Sequence, residues 1–278
     1  MPVLLYLALT EVIVLVKKPE LFLDKTLVFN RFIFLFAFTS IFLLTQRVGH
    51  RVKSLVNIMT VYALLALLYK ETAILNQLYY PVMDPVLQAW DEWLFGFQPA
   101  LQFSESRNHP VFSELMFFGY FSYYLLPLVA LSFIWIKMPQ RLEEFGFVLI
   151  GSFLVYYSLF IFFPAVGPQF FWDAPDNVID ARGLFSKIVK TIQLHGEAPT
   201  AAFPSSHVGI SIIILLWLKR YETKFYLFLV PTTLLLILAT VYIKAHYVTD
   251  VIGGLISAPV VYLLVRKCYF RLRKLMWS

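Results

Sequence analysis

Uncharged stretches recur along the chain at a length that suits a lipid bilayer. Residues 54–69 (SLVNIMTVYALLALLY), 115–136, 145–163, 208–218, 225–243 and 251–265 are apolar, and most approach the roughly 20 residues a helix needs to span hydrocarbon. An earlier run, 32–45 (FIFLFAFTSIFLLT), reads as a further span. The first run, 2–16, is short and carries Glu11. No basic residue precedes it and no A-x-A site follows, so it is expected to be retained rather than cleaved as a signal. The pattern predicts an all-α fold, a polytopic integral membrane helix bundle. A six-span core covers residues 54–278, and residues 1–53 add one or two N-terminal segments and a basic loop.

Composition agrees with lipid as the solvent. The chain has 278 residues, 60% of them apolar and 14% charged, with a mean hydropathy of +0.74, against about 25% charged in soluble domains. The single cysteine, Cys268, excludes an internal disulfide. A net charge of +6 would suggest nucleic acid only if its distribution were ignored. Arg47, Arg51, Lys53, Lys137, Arg141, Lys219, Arg220, Lys224, Arg266, Lys267, Arg271, Arg273 and Lys274 fall on one side if the spans alternate. The positive-inside rule makes that side the cytoplasm, so the basic excess is a topology signal. The opposite loops, 70–113 and 164–206, are long and carry acids including Glu71, Asp84, Asp91, Glu114, Asp180 and Glu197. Trp90, Trp93, Phe95 and Phe97 suit a segment resting at headgroup depth.

The polar residues at the outer ends of the spans carry the candidate chemistry. "FPSSH" (203–207) precedes an apolar run. Pro204 fits a helix start and Ser205 or Ser206 an N-cap, and a helix N-terminus favours an anion such as phosphate. His207 stands beside that anion or merely caps the helix. "KAHYVTDVIGG" (244–254) opens the last span. His246 and Asp250, at i and i+4, share a helix face, and the carboxylate can fix the imidazole tautomer so that the other nitrogen is free as nucleophile or base. Gly253 and Gly254 permit close helix approach. Alternation of spans brings both histidines to one side, a plausible phosphoryl-transfer site with one histidine attacking phosphorus and the other protonating the leaving oxygen. Lys244 and Arg182, with Lys187 and Lys190 behind them, are candidate cations for the phosphoryl oxygens. A zinc site from His207, His246 and Asp250 competes, as does a Ser–His–Asp hydrolase, although no HExxH or GxSxG pattern is present.

At these residues the chain resembles the type-2 phosphatidic acid phosphatase superfamily, whose fold is related to that of vanadium haloperoxidases. Pro204-Ser205-Ser206-His207 stands for the family's Pro-Ser-Gly-His, and His246-x3-Asp250 keeps the third motif. Ala239 and Thr240 replace that motif's Ser-Arg, and no Arg-Pro first motif occurs. "DEWLFGFQP" (91–99), "FPAVGPQFF" (163–171) and "TVYIKAHYVTD" (240–250) are similar to the inositolphosphotransferase branch, which includes inositol phosphorylceramide synthases. The resemblance implies His246 as the phosphohistidine nucleophile, Asp250 as its orienting partner and His207 as the acid. It implies phosphate contacts from Lys244, Arg182, Ser205, Ser206 and Gln169, and neither metal nor cofactor. The expected function is a membrane phosphoesterase acting on a lipid phosphate at a periplasmic or lumenal face of the inner or plasma membrane. Water as acceptor makes it a phosphatase, and a lipid or polyol hydroxyl makes it a phosphotransferase. A non-catalytic lipid-binding or transport protein is the reading from another class.

Overall fold

The computed structural model describes residues 2–176, 179 and 181–276; Asp180 lies outside them. Helices account for the secondary structure of the described residues: α1 (Pro2–Lys17), α2 (Lys25–Leu44), α3 (His50–Leu75), α4 (Asp84–Phe95), α5 (Pro99–Ser106), α6 (Pro110–Lys137), α7 (Leu142–Phe162), α8 (Pro168–Phe171), α9 (Leu184–Gly196), α10 (Ser206–Tyr221), α11 (Thr223–Tyr242) and α12 (Val248–Met276). Six are long and apolar enough to cross a membrane: α2 with the turn to Arg47, then α3, α6, α7, α11 and α12. The protein is thus a multi-pass helical membrane protein. Every predicted apolar run falls on a helix that begins at or before it, and the runs 32–45, 145–163 and 225–243 end one residue past their helices. At 16 residues, α10 is shorter than a full span. Its whole flank is nonetheless packed, from Val208 to Leu218, between α6, α7, α11 and α12.

The largest core cluster joins these helices through Tyr156, Phe160, Ile210, Ile214, Trp217 and Ala258. Two glycines set the spacing around α10. A Cβ on Gly254 would lie 2.6 Å from the Ser205 carbonyl oxygen, and one on Gly209 would strike the Tyr156 hydroxyl. The close approach expected of the Gly253–Gly254 pair is therefore made against the start of α10.

One end of the bundle is held by charge. Glu144 accepts from Arg141, from Arg266 Nε at 3.1 Å and from the Tyr221 hydroxyl at 2.8 Å. These residues come from the α6–α7 turn, the far end of α12 and the end of α10, so the basic connections gather at one end. The N-terminal hairpin docks through a second cluster. Arg31 of α2 pairs with Glu71 of α3 at 3.2 Å and with Glu11 of α1, and also donates to Thr10.

The opposite end holds the two long segments. Segment 70–113 forms α4 and α5, and 164–206 forms α8 and α9. The exposed face of α4 carries Val86, Trp90, Trp93 and Leu94, followed by Phe97, the pattern expected at headgroup depth. Its inner face carries Leu87 between two fully buried aspartates, Asp84 and Asp91.

Candidate active site

The site forms where α10 and α12 begin. Ser205 caps α10, its Oγ accepting from the Val208 N–H at 3.4 Å. Ser206 is the first helical residue and Pro204 precedes the cap, one step outside the predicted helix start. The first N–H groups of a helix have no intrahelical acceptor. Ser205 takes that of Val208, and the next two residues, Ser206 and His207, line the central cavity.

The turn between α11 and α12 aims His246 at the same point. α11 ends with the Ala245 and His246 N–H groups both donating to the Thr240 carbonyl, at 3.1 Å each. Lys244 adopts φ +64°, the left-handed conformation that reverses the chain after a helix. His246 Nδ1 then lies 3.3 Å from Asp250 Oδ2, and His246 Nε2 lies 3.1 Å from His207 Nδ1. Asp250 also accepts from the Tyr247 N–H at 2.9 Å. With Asp250 accepting from Nδ1–H, the Nε2 lone pair of His246 faces His207. Burial pushes the His246 pKa down to about 4, against the opposing pull of the Glu197 carboxylate. His246 is therefore neutral at physiological pH.

Two aspartates hold this geometry from α4. Asp91 accepts from the Val248 and Thr249 N–H groups at 2.9 and 2.8 Å, and so caps α12 directly after His246. Asp84 accepts from the Val166 and Gly167 N–H groups at 2.9 and 2.7 Å. Burial raises the pKa of both carboxyls, and the N–H groups they accept oppose that rise. Gly167 has φ +86°, and a Cβ there would lie 2.8 Å from the Ala245 carbonyl oxygen. The next residues follow that contact, with the Gln169 N–H donating to the Lys244 carbonyl at 2.9 Å. The Gly-Pro-Gln segment is thereby laid against the histidine turn.

The cavity beside the two histidines has a volume of about 360 Å³. Tyrosines 62, 69, 120, 123, 124 and 157 line it, with Gln169, Glu197, Thr200, Ser206, His207 and His246. Tyr120 stacks on His207, ring centroids 4.9 Å apart, and donates to Glu197 at 2.6 Å. Among the described residues no lysine or arginine lines the cavity. Lys244 is buried next to the site, but its Nζ donates to the Asp176 carbonyl; burial lowers its pKa, with Glu105 and Asp176 opposing. Arg182 is exposed in the loop before α9. Lys190 is spent on the Ile179 and Ala181 carbonyls.

Of the residues singled out in the sequence, the fold brings together His207, His246, Asp250, Ser205, Ser206 and Gln169, and leaves Lys244 and Arg182 off the cavity wall. Sequence reasoning missed Asp84, Asp91, Glu197 and Tyr120. Asp84 and Asp91 carried a signal: acids at i and i+7 flank Leu87 on the inward face of a helix whose other face is aromatic. Among the described residues no group of three His, Cys, Asp or Glu side chains is arranged to hold a metal.

No solved structure matches the chain. A PA-phosphatase related-family protein of Dictyostelium discoideum is 24% identical over 120 residues, covering 42% of this chain. The match spans only 22% of that protein's length. Residues 85–264, which include α4 from its second residue onward and both histidines, match the family model of the PAP2 superfamily. That is well over half of the chain, and it identifies the protein, with its buried histidine pair at the head of α10 and α12, as a member of the PAP2 superfamily.

Proposed function

We propose that the protein cleaves a lipid phosphate ester through a phosphohistidine on His246, with water as the acceptor. The observation that carries this reading is the relay Asp250–His246–His207, in which one neutral nitrogen faces the second imidazole across 3.1 Å. His246 Nε2 forms a bond to phosphorus while the ester P–O bond breaks, and His207 protonates the departing alkoxide. His207 then takes a proton from water, the oxygen attacks phosphorus, and the N–P bond breaks. The Ser206 and His207 N–H groups at the α10 terminus stabilise the equatorial oxygens. In this assignment Lys244 shapes the turn that presents His246, and Gln169 closes the cavity wall beside it.

A phosphotransferase of the inositolphosphotransferase type is the second reading. The size of the cavity favours it, since 360 Å³ is far more than a water molecule requires. Both readings place the active site at the end of the bundle away from the basic connections, the periplasmic or lumenal face by the positive-inside rule.

The test is purified protein in detergent with radiolabelled lipid phosphates, quenched in alkali, where phosphohistidine survives. Labelled protein in the wild type, no label in His246→Ala, and release to water of phosphate from a monoester, or of a phosphomonoester from a diester, rather than its transfer to an acceptor are the expected results. Full turnover by His246→Ala would overturn the assignment. Transfer to added ceramide or myo-inositol would decide for the second reading.

A further inference from the structure

The cavity that serves a phosphate ester is walled, unexpectedly, by a carboxylate. Glu197 follows α9 and faces the cavity with Gly196 and Ile192. Its Oε1 accepts from the Tyr120 hydroxyl at 2.6 Å and the Tyr124 hydroxyl at 3.1 Å, and its Oε2 accepts from Gln169 Nε2 at 2.7 Å. Gln169 is itself oriented by Gln193 Nε2, 2.6 Å from its Oε1. A carboxylate offers about four lone-pair positions, and one remains on Oε2. The group is therefore built into place and still has capacity. Tyr120 connects it to the chemistry, its ring on His207 and its hydroxyl on Glu197.

Charge decides what such a wall accepts. Among the described residues lining the cavity Glu197 is the only carboxylate and no lysine or arginine offsets it; His246 is neutral, and the proton His207 carries in the catalytic reading is committed to the departing oxygen. In surroundings of low dielectric, an anion brought near a carboxylate is repelled far more strongly than in water. A substrate with a positive group beside its phosphate removes that penalty and gains the attraction instead. The remaining wall suits a cation as well, because six tyrosines line the cavity, two of them hydrogen-bonded to the carboxylate, and aromatic faces attract ammonium groups.

We propose that Glu197, with Tyr120 and Tyr124, forms a subsite for an ammonium group, and that the substrate is a phosphate ester of an amino alcohol. The proposal rests on the catalytic reading above for the position of the phosphate at His207 and His246. The phosphate lies at the α10 terminus, and the ammonium reaches past the Tyr120 ring to Glu197. An uncharged polyol headgroup would gain hydrogen bonds there but would leave the charge of Glu197 uncompensated.

Two measurements test this. The first is turnover of short-chain lipids with identical acyl chains and choline, ethanolamine, glycerol or inositol phosphate headgroups. Wild-type protein should favour the two amine headgroups by about tenfold or more, the range of a charge-assisted contact joined to cation–π attraction. The ratio of amine to polyol turnover should fall about tenfold in Glu197→Gln, with Glu197→Asp retaining part of it. An unchanged ratio in Glu197→Gln, or a wild-type preference for inositol or glycerol, would overturn the proposal.

The second measurement is calorimetric binding of phosphocholine and of glycerol phosphate to the His246→Ala protein, which needs no turnover. Tighter binding of phosphocholine, lost when Glu197→Gln is added, supports the subsite. Equal binding of the two compounds defeats it. If no ester were turned over while the binding preference held, the catalytic reading would fall and the ammonium subsite would stand.

Discussion

Burial decides which form of His246 the site presents. An exposed imidazole has a pKa near 6.5; at His246 it is lowered to about 4. The neutral, nucleophilic form therefore persists as pH falls through 6.5 and disappears only near 4. Because kcat/KM reports groups of the free enzyme, its acid limb is expected close to pH 4 and not near 6.5. A pH profile of the wild type checks this, and a midpoint above 6 would show His246 to be solvated. Replacing the acid, His207→Ala, should lower kcat by about 10²–10⁴-fold, with less loss for substrates whose leaving group needs no proton. Lys244 offers a separate test, because its left-handed φ of +64° is the conformation glycine adopts freely. Lys244→Gly and Lys244→Ala lose the same amine, so the glycine variant should be the more stable by about 1 kcal/mol. Thermal melts of the two in detergent measure the difference, and equal melting temperatures would refute the conformational account.

Helix placement depends on contacts that single residues cannot make alone. α4 does not enter the bundle core; it presents Asp84 to one backbone segment and Asp91 to another. Asp91→Ala leaves the Val248 and Thr249 N–H groups unpaired at the start of α12, at about 1–3 kcal/mol for such buried groups. Faster hydrogen exchange at Val248 and Thr249, together with reduced kcat, is the expected outcome. The junction of α10 and α12 is equally tight. Gly254→Ala must move the Ser205 carbonyl, 2.6 Å from the added carbon, and overpacking of this kind costs about 1–3 kcal/mol. Gly49→Ala, with nothing within 4 Å of the new carbon, is the control and should melt with the wild type.

At the scale of the whole molecule, the N-terminal hairpin is tied to the site through α3. Arg31 pairs with the fully buried Glu71, and the adjacent Thr72, with Asn76 just over a turn further on, holds Thr200 on the cavity wall, Asn76 Nδ2 at 3.0 Å. Arg31→Met strands Glu71 as an unpaired buried charge, a loss of about 3–5 kcal/mol. The double variant Arg31→Met, Glu71→Leu should recover most of it, because an apolar pair of similar volume commonly replaces a buried ion pair without loss. Melting temperatures of the single and double variants decide; a double variant no more stable than Arg31→Met would show that the pair acts through something other than charge compensation.

How much was legible in the sequence follows from the range of the interactions involved. Helix content, the apolar runs and the basic side of the bundle were readable because they depend on local composition and on the thickness of a bilayer. The His246–Asp250 pair was readable because i and i+4 share a helix face whatever lies beyond it. The meeting of His207 with His246 followed from counting spans, though its 3.1 Å contact did not. Only the tertiary structure decided that Asp84 and Asp91 turn inward, that the Lys244 amine points to a loop carbonyl, and that Glu197 faces the cavity. These side chains are placed by partners tens of residues away, Tyr120 and Glu197 being 77 apart and Asp91 and Thr249 158 apart. Hydrophobic pattern and residue spacing carry no information at that separation, whereas packing around α10 does. A loop acid that reads as solvent-facing along the chain thus becomes the one carboxylate among the described residues lining the cavity.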